Sequence, residues 1–549
     1  MGGQRLLDEH FPTHGTWVGL SLGGVTVVWL TPSLSQADHR LNHVEPWADQ
    51  QCHTWRRCTG RHVHPLDVSD DRLAAVLEAV SADARGSAFE GALTRQLRRV
   101  YKLEPERVRL DSTTASGYWA VTEDGLFQFG PSQDHRPDLP QVKVLLSALD
   151  PLGVPVATAV VPGQRADAPW DVPAMTRVRE SLGRQGRLDV GDGKMGALAT
   201  RAFIQAGGAS SRCRLSAIQL PPDVVAGSLA AVWREQPPLT RLTRMTAGGK
   251  REHLAEGYER LEPWTVRAAG AALAWTARRL VVRARPLARA GEAALRARLA
   301  KVQAAVAALK DRGRGQKRFT ARTALQAAVE AIRRRPRVQG LLAVRDTEGV
   351  QERPLRRYGH RPATVRGARD LRVTAVVDRR AVAGAVRRLG WRVYATHAPA
   401  DQFSLGQAGL AYRRESLMER DLGRWKGPPL SLTPRSLERD DHATGLIRLL
   451  LVGWRVLTRL AFVGRRRLAA ARTGLAGLYA GNPTRATARP TAERLLEAFR
   501  GLTLTSIREG RHRRSHLTPL SRVHRRILVL LDFPLDISTR LCPDSHKPP

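Results

Sequence analysis

The sequence predicts an α/β fold in which a core of alternating strands and helices lies between mainly helical regions. Residues 105–220 contain short β-rich runs that glycine and proline interrupt: RVRLDSTT, QVKVLLSALD, GVPVATAVV and GRLDVGDGKM. Helical patterns near 171–183 and 196–207 separate some of these runs. Strands that alternate with helices are typical of an α/β core.

Apolar residues at helical spacing predict helices on both sides of this core. Ser69, followed by Asp70 and Asp71, marks the start of one helix before the core. The apolar positions of this helix and the next are Leu73, Val76, Leu77 and Val80, then Phe89, Leu93, Leu97 and Tyr101. After the core, helices are expected over 405–425, 440–480, 491–500 and 521–531.

Residues 270–335 are also predicted to be helical. The seam of a helical hairpin is marked by apolar residues that step by four and three: Leu295, Leu299, Val302, Val306 and Leu309. The segment DRGRGQKR forms the turn of this hairpin, and Thr320 starts its second helix. Three strand-like runs follow, LLAVRD, LRVTAVVD and WRVYATH, with a helix near 380–388 between the last two.

The charge balance predicts a polyanionic partner. The chain carries 89 Lys and Arg against 51 Asp and Glu, a formal net charge of +38. Nucleic acid is the commonest partner of so basic a chain, and an anionic membrane surface is the alternative. The predominance of arginine suits bidentate phosphate contacts, and a GC-rich genome would give the same bias. Four cysteines in 549 residues argue against a disulfide scaffold and indicate a reducing cytosol.

The most apolar stretch of the chain runs from Leu446 to Val463. Arg448, Arg455 and Arg459 interrupt it. Three charges within this stretch are costly in a bilayer, so we expect a buried core helix here and no membrane span.

Three acidic residues have positions that suit a metal site. Asp111 ends the alternating strand Val108–Asp111, and Asp192 ends the run LDVGD. Glu419 lies in the predicted helix AYRRESLMERDLGRWKG, where Tyr412 and Lys426 are each seven residues away from it and fall on the same face. Two aspartates and a glutamate form the all-oxygen ligand set that Mg²⁺ or Mn²⁺ prefers.

The pattern alone leaves other interpretations open. Acidic residues at strand ends are common, and most of them are solvated or cap a neighbouring helix. A Tyr–Glu–Lys stripe is more often a solvated helix face. His135 and Arg136, in the polar loop QDHRPDLP, could contact DNA or could belong to a structural turn fixed by Pro137 and Pro140.

Several long segments resemble one protein family: LDSTTASGYW, DGLFQFGPSQDHRPDLPQVKVLLSALDPLGVPVATAVVPGQRAD, VGDGKMGALATRAF, AYRRESLMERDLGRWKGPPLSLTPRSLERDDHATGLIRLL and GLYAGNPTRATARPTAERLLEAF. They are similar to bacterial insertion-sequence transposases of the IS-four superfamily, in the IS-sixteen-thirty-four group. The resemblance extends over nearly the whole chain, from LDEHFPTHG to HLTPLS. The family often has a longer lead before LDEHFP, so the resemblance implies a truncated start.

The resemblance implies a ribonuclease-H-like catalytic core in which Asp111, Asp192 and Glu419 are the first, second and third catalytic carboxylates. Tyr412 and Lys426 match a signature on the last helix, whereas Glu415 stands where the superfamily has arginine. Asp192 and Glu419 lie 227 positions apart, more than a bare core of this type needs. The segment between them therefore indicates a large insertion.

The prediction divides the chain into five regions. They are a helical, DNA-binding N-terminal region (1–104), the first part of the ribonuclease-H-like core (105–214), an insertion with a helical hairpin and strands (215–400), the last part of the core with the Glu419 helix (401–480), and a helical C-terminal region (481–549).

The function implied is a transposase that binds the ends of its own element and cuts and joins DNA strands with Mg²⁺ or Mn²⁺. Its expected partners are double-stranded DNA, as transposon ends and as target, and a second copy of the chain in the active complex. We expect it in the bacterial cytoplasm with the nucleoid and without a membrane partner. The alternatives are a DNA-binding remnant that no longer cuts, and a related nuclease without strand transfer.

Overall fold

A nine-stranded mixed sheet runs through the molecule and carries helices packed against it. It is seen in a computed structural model of the chain. The structure describes residues 2–104, 107–132, 136–150, 152–166, 168–182, 186–191, 195–215, 219–234, 237–245, 249–268, 271–309, 319, 321–334, 338–355, 359–360, 364–407, 422–427, 430–432, 437–509 and 512–542.

The N-terminal region is helical, as predicted. Its helices are α1 (Gly3–His10), α2 (Leu22–Ser35), α3 (Leu41–Thr59), α4 (Asp70–Ser81) and α5 (Asp83–Tyr101). Asp70 and Asp71 lie in the first turn of α4, where negative charge complements the helix dipole. The apolar face predicted for α4 is buried in the main core.

The first five strands form one side of the sheet, and all four predicted β-rich runs are confirmed. The strands are β1 (Arg107–Ser116), β2 (Gln141–Asp150), β3 (Val154–Pro162), β4 (Leu188–Gly191) and β5 (Ser210–Arg214). Strands β1 to β3 form an antiparallel meander, whereas β4 pairs parallel with both β1 and β5. Helices α6 (Ala168–Leu182) and α7 (Leu198–Ala206) connect the parallel strands, and both were expected.

The sheet continues beyond β5 through strands that come much later in the sequence. After α8 (Pro222–Trp233) come β6 (Thr240–Met245), β7 (Arg251–Ala268) and β8 (Ala271–Ala284), and β11 (Trp391–Thr396) inserts between β5 and β8. The helix expected from residue 270 is therefore wrong for 271–284. This segment is rich in alanine, which favours helix locally, but it pairs with β7 from Ala255↔Ala284 to Ala268↔Ala271. Strand pairing overrides the local preference.

The predicted helical hairpin is confirmed as α9 (Arg285–Ala307) and α10 (Arg322–Arg334). Its seam residues Leu295, Leu299, Val302 and Val306 are buried with Leu325 and Val329. The same cluster includes residues of the two-stranded sheet formed by β9 (Leu342–Leu355) and β10 (Thr364–Val377), which α11 (Arg379–Arg387) follows. The predicted turn at 311–318 and the helix start at Thr320 lie outside the described residues.

The C-terminal part contains α12 (Asp440–Ala470), α13 (Ala492–Glu497), β12 (Leu504–Glu509), β13 (His512–Leu517), α14 (Arg522–Leu531) and α15 (Ile537–Leu541). Helix α12 ends at Ala470, ten residues before the predicted end at 480. Just after this end, Arg472 has a left-handed backbone (φ 49°). The hairpin β12–β13 was not predicted, since its strands are short and polar. Hydrogen bonds between Ser506 and Ser515 (3.1 Å) and between Thr503 and Thr518 (2.9 Å) join its two sides.

Helix α12 is the buried core helix that the sequence predicted. Its arginines bind other elements: Arg448 donates to the carbonyls of Val80, Ser81 and Ala82 at the end of α4, at 2.8–2.9 Å. A Cβ on Gly445 would lie 2.2 Å from the Leu77 carbonyl oxygen, so glycine allows the close approach of α12 to α4. In the described part of the chain, no helix combines the length and the apolarity that crossing a membrane requires.

Arg455 and Glu90 form a buried ion pair that joins α12, α5 and β3. The guanidinium Nη2 of Arg455 lies 3.0 Å from Glu90 Oε1, and the Arg455 Nε donates to the Pro155 carbonyl at 3.0 Å. Glu90 also accepts hydrogen bonds from the amide and hydroxyl of Thr158. The side chains of Arg455 and Glu90 are 0% and 6% exposed, so neither charge has water to replace its partner.

We expect Arg455→Met to lower the free energy of unfolding by about 3–5 kcal/mol, because it leaves the Glu90 carboxylate buried and unpaired. The measurement is chemical denaturation of the variant and the parent. A matched control is Arg296→Met, which breaks an exposed pair with Glu292 on α9 and should leave stability almost unchanged. Equal losses in both variants would show that the buried pair does not hold these elements together.

Candidate functional site

Asp111 lies in the middle of β1 and not at the end of a strand, as the sequence had indicated. Strand β1 continues to Ser116, because its β-branched residues Thr113 and Thr114 pair with Val144 and Lys143 of β2. Asp111 itself pairs with Leu146, is half-buried, and accepts a hydrogen bond from the Ser112 amide at 2.8 Å. The strand therefore holds this carboxylate on a rigid backbone.

The described pairing of β1 with β4 stops just before Asp111. It runs from Arg107↔Leu188 to Arg109↔Val190, and β4 ends at Gly191. Asp111 stands two residues beyond the last described pair. The carboxyl ends of parallel strands are where α/β sheets usually bind ligands. Asp192 follows Gly191 directly in the sequence and lies outside the described residues.

The other aspartate of the LDVGD run has a structural partner. Arg187 Nε donates to Asp189 Oδ1 at 2.9 Å, and both side chains are 1% exposed. Burial raises the pKa of Asp189, although the Arg187 charge opposes this shift. Asp189 therefore forms an internal ion pair and is separated from bulk solvent.

Of the Tyr412, Glu419 and Lys426 stripe, only Lys426 is described. It is half-buried in a short helical segment at 422–426, and residues 408–421 lie outside the description. The segments on both sides are fixed to the core. Before 408, Phe403 is buried with Leu188 and Val190 of β4. After 421, Trp425 is fully buried, with its ring centre 6.3 Å from that of Trp454 on α12.

Arg136 lies in an exposed turn and is paired with Asp138. Its Nε is 2.9 Å from Asp138 Oδ1, and its Nη2 is 2.7 Å from Oδ2. The Asp138 carboxylate raises the pKa of Arg136, and Arg136 in turn lowers the pKa of Asp138. The turn also contains a hydrogen bond from the Leu139 amide to the Arg136 carbonyl. His135, the other loop residue singled out in the sequence, lies outside the described residues.

The side chains of Asp111, Asp192 and Glu419 are carboxylates, a ligand type that suits Mg²⁺ or Mn²⁺ better than softer metals. Of the three, only Asp111 is among the described residues. Asp111 contributes a carboxylate that is half-buried and accessible in part. Among the described residues, no group of three or more His, Cys, Asp or Glu side chains is close enough to hold a metal ion.

A serine–histidine pair that no sequence motif marks lies between β5 and the end of β11. Ser211 Oγ is 2.9 Å from His397 Nδ1, and His397 Nε2 is 2.8 Å from the Ala209 carbonyl oxygen. The carbonyl fixes the proton on Nε2, so Nδ1 accepts from the serine hydroxyl. Burial lowers the pKa of His397. Ser211 is 1% exposed, which fits a structural link between two strands and leaves no access for a substrate.

No protein-family model matches this chain, and no curated protein is similar to it at a significant level. Among solved structures, the chain is similar to one from a cryo-EM structure of a piggyBac transposase synaptic complex with hairpin DNA. The sequence identity is 11% and the TM-score is 0.23, over 45% of this chain. The match spans 55% of the length of that chain. A likeness this weak does not by itself establish a shared fold.

Asp189 and Asp192 are three residues apart and provide a matched pair of tests. We expect Asp192→Asn to weaken Mn²⁺ binding by more than about tenfold with little change in stability, because the amide lacks the charge that holds the ion. Asp189→Asn should instead lower stability and keep Mn²⁺ affinity, since it disrupts the pair with Arg187. Electron paramagnetic resonance of free Mn²⁺ and thermal denaturation measure the two effects. The reverse assignment of effects would exclude Asp192 as the ligand.

Proposed function

We propose that the protein is a DNA transposase that binds the ends of its own element and catalyses metal-dependent strand cleavage and strand transfer. The observation that carries this proposal is the parallel pairing of β1 and β4. Asp111 lies on β1 just past the last described pair, and Asp192 is the residue after the last one of β4. Two of the three carboxylates implied by the family resemblance therefore lie in, or directly follow, two strands that pair in parallel.

The strand order supports a ribonuclease-H-like core. The order β3-β2-β1-β4-β5 combines an antiparallel meander with two strands parallel to β1, and helices α6 and α7 make the crossovers. In this arrangement β1 lies between an antiparallel and a parallel neighbour. Strands β6 to β8 and β11, from the region proposed as an insertion, extend the same sheet at the β5 edge. The insertion thus lies on the side of the sheet away from the meander.

Asp111, Asp192 and Glu419 would hold the divalent ions. Such ions, Mg²⁺ or Mn²⁺, supply activation of the attacking water or 3′-hydroxyl and stabilisation of the leaving oxygen. The chain's part is to hold the ligands in place before substrate arrives. Asp111 is fixed by β1, and the helix proposed for Glu419 is joined to core-packed residues on both sides, Phe403 and Trp425.

Other side chains would bind the DNA around the scissile phosphate. Lys426 lies at the end of the described helical segment 422–426, and its ammonium would hold a phosphate near the site. Tyr412, His135 and Arg136 are proposed as further DNA contacts. Arg136 can bind a phosphate once its exposed pair with Asp138 opens, at little cost because water surrounds both groups.

The proposed partner is duplex DNA, as element ends and as target, in the bacterial cytoplasm. The formal charge of +38 supports it, since phosphate neutralisation drives such binding. An active complex would hold two ends at once, which a homodimer provides with one active site for each end.

We expect Asp192→Asn to abolish strand cleavage while binding to DNA ends persists, because the substitution removes a metal ligand and none of the basic residues. The assays are cleavage and gel shift on one duplex that carries the inverted repeats flanking the gene, with Mg²⁺ present. Asp223→Asn is the control: it changes an exposed aspartate in the first turn of α8 to the same amide and should keep cleavage.

Full cleavage by the Asp192→Asn protein would identify Asp192 as a structural residue and contradict the assignment. Cleavage by the parent without joining of the 3′ ends to a target would make the protein a nuclease.

A further inference from the structure

The C-terminal part of the chain carries an excess of positive charge. Residues 464–549 contain sixteen arginines and one lysine against six acidic residues. This part has its own small core, formed by Leu468 at the end of α12 with residues of the following loop, α13 and α14. The charge therefore lies on a folded surface.

A groove of about 740 Å³ lies between α14 and the loop that follows α12. Thr473, Gly474 and Gly477 line one wall, and Arg522, Arg525 and Arg526 line the other. We call it the arginine groove. Gly477 has φ +86°, and a Cβ there would lie 3.3 Å from Val523. The loop therefore packs closely on α14.

The three arginines stand on one face of α14. They are spaced i, i+3 and i+4, so they follow each other along about one turn of helix. The opposite face, with Ile527, Leu528 and Leu530, is buried. The helix is fixed at its start by Ser521 and His524, and His524 Nε2 also lies 2.8 Å from the Ala498 carbonyl oxygen. The arginine row is thus held on a rigid support.

These arginines have no acidic partner among the residues that the structure describes. Each one is exposed, and the polar contact found is the donation from Arg526 Nη2 to Thr473 Oγ1, at 3.3 Å. Nearby arginines differ: Arg424 pairs with Glu493 and Arg467 pairs with Asp532. The charge of the groove is therefore available for an anion from outside.

Duplex DNA fits this surface better than a membrane does. Its backbone presents a dense row of charges, one per about 1.7 Å of helix axis, and a row of cations in a concave groove can follow such a backbone. Arginine forks also bind phosphate oxygens in pairs. A flat anionic bilayer would not enter a groove whose rim is the loop at 473–477.

We propose that the arginine groove binds the phosphate backbone of duplex DNA through Arg522, Arg525 and Arg526. This inference rests on the proposed function and adds to it a location for DNA contact in the C-terminal part, whereas the sequence had suggested residues 1–104. The groove contacts phosphates, so it contributes affinity and positioning without sequence preference.

The test compares full-length variants for binding to a labelled 30-base-pair duplex of arbitrary sequence, without Mg²⁺, between 50 and 200 mM salt. The groove variant is R522Q/R525Q/R526Q. The matched control is R289Q/R298Q/K301Q, which removes the same charge from exposed positions of α9. Each lost phosphate contact lowers the slope of log affinity against log salt by about 0.9.

We expect the groove variant to bind more weakly at 50 mM salt and to lose about 40-fold less affinity than the parent between the two salt concentrations. The control should keep the parental slope. Each of three outcomes would overturn the proposal. The first is a parental slope in the groove variant, and the second is a reduced slope in the control alone. The third is a groove variant that loses binding to anionic phosphatidylserine vesicles and keeps DNA binding. These outcomes leave the cleavage result for Asp192→Asn unaffected, whereas a parent that binds no duplex would refute the proposed function itself.

Discussion

The parallel pairing of β1 with β4 is the contact on which the whole sheet depends. It joins the meander β3-β2-β1 to the remaining strands β4-β5-β11-β8-β7-β6. The described contact has only three residue pairs, Arg107↔Leu188 to Arg109↔Val190. The strands on the far side of this seam include β11, which comes more than 200 residues after the meander. A candidate catalytic carboxylate, Asp111, stands two residues beyond the last described pair, and its backbone is held by pairing with Leu146 of β2.

Buried arginines hold the rest of the core together around this sheet. Arg455 joins α12 to Glu90 and β3, Arg448 joins α12 to the end of α4, and Arg109 pairs with Asp150 at 3.1 Å inside the meander. Buried charges of this kind are stable only when they are paired. The arginines behind the net charge of +38 are therefore of two kinds. Some arginines are internal links, and others, such as those of the arginine groove, face solvent without an acidic partner in the described structure.

Sequence periodicity predicted the helices, because their apolar residues repeat at a spacing that can be seen within one short segment. The seam of α9 and α10 and the apolar face of α4 repeat at helical spacing, and both were found as expected. Strands β7 and β8 were missed because their alanines and charges carry no strand signal, and their pairing depends on each other and on β11, more than a hundred residues away from β8.

The candidate site could be predicted in outline and not in its details. The residue pattern and the family resemblance selected Asp111, but the position of Asp111 in the middle of β1 depends on pairing with β2 that no local signal reveals. Asp189 and Asp192 both lie in the LDVGD run, and the buried contact with Arg187 identifies Asp189 as structural. The contact between Ser211 and His397 spans 186 residues, and its two members carry no motif.

The central claim is that Asp111, Asp192 and Glu419 surround one metal site. The most direct measurement replaces Mg²⁺ with Fe²⁺, generates hydroxyl radicals with peroxide and ascorbate, and maps backbone cuts by mass spectrometry. Radicals cut only near the ion, so the account predicts three clusters of cuts, near residues 111, 192 and 419, that excess Mg²⁺ suppresses together. Cuts near one of these residues alone, or cuts that Mg²⁺ does not suppress, would contradict it.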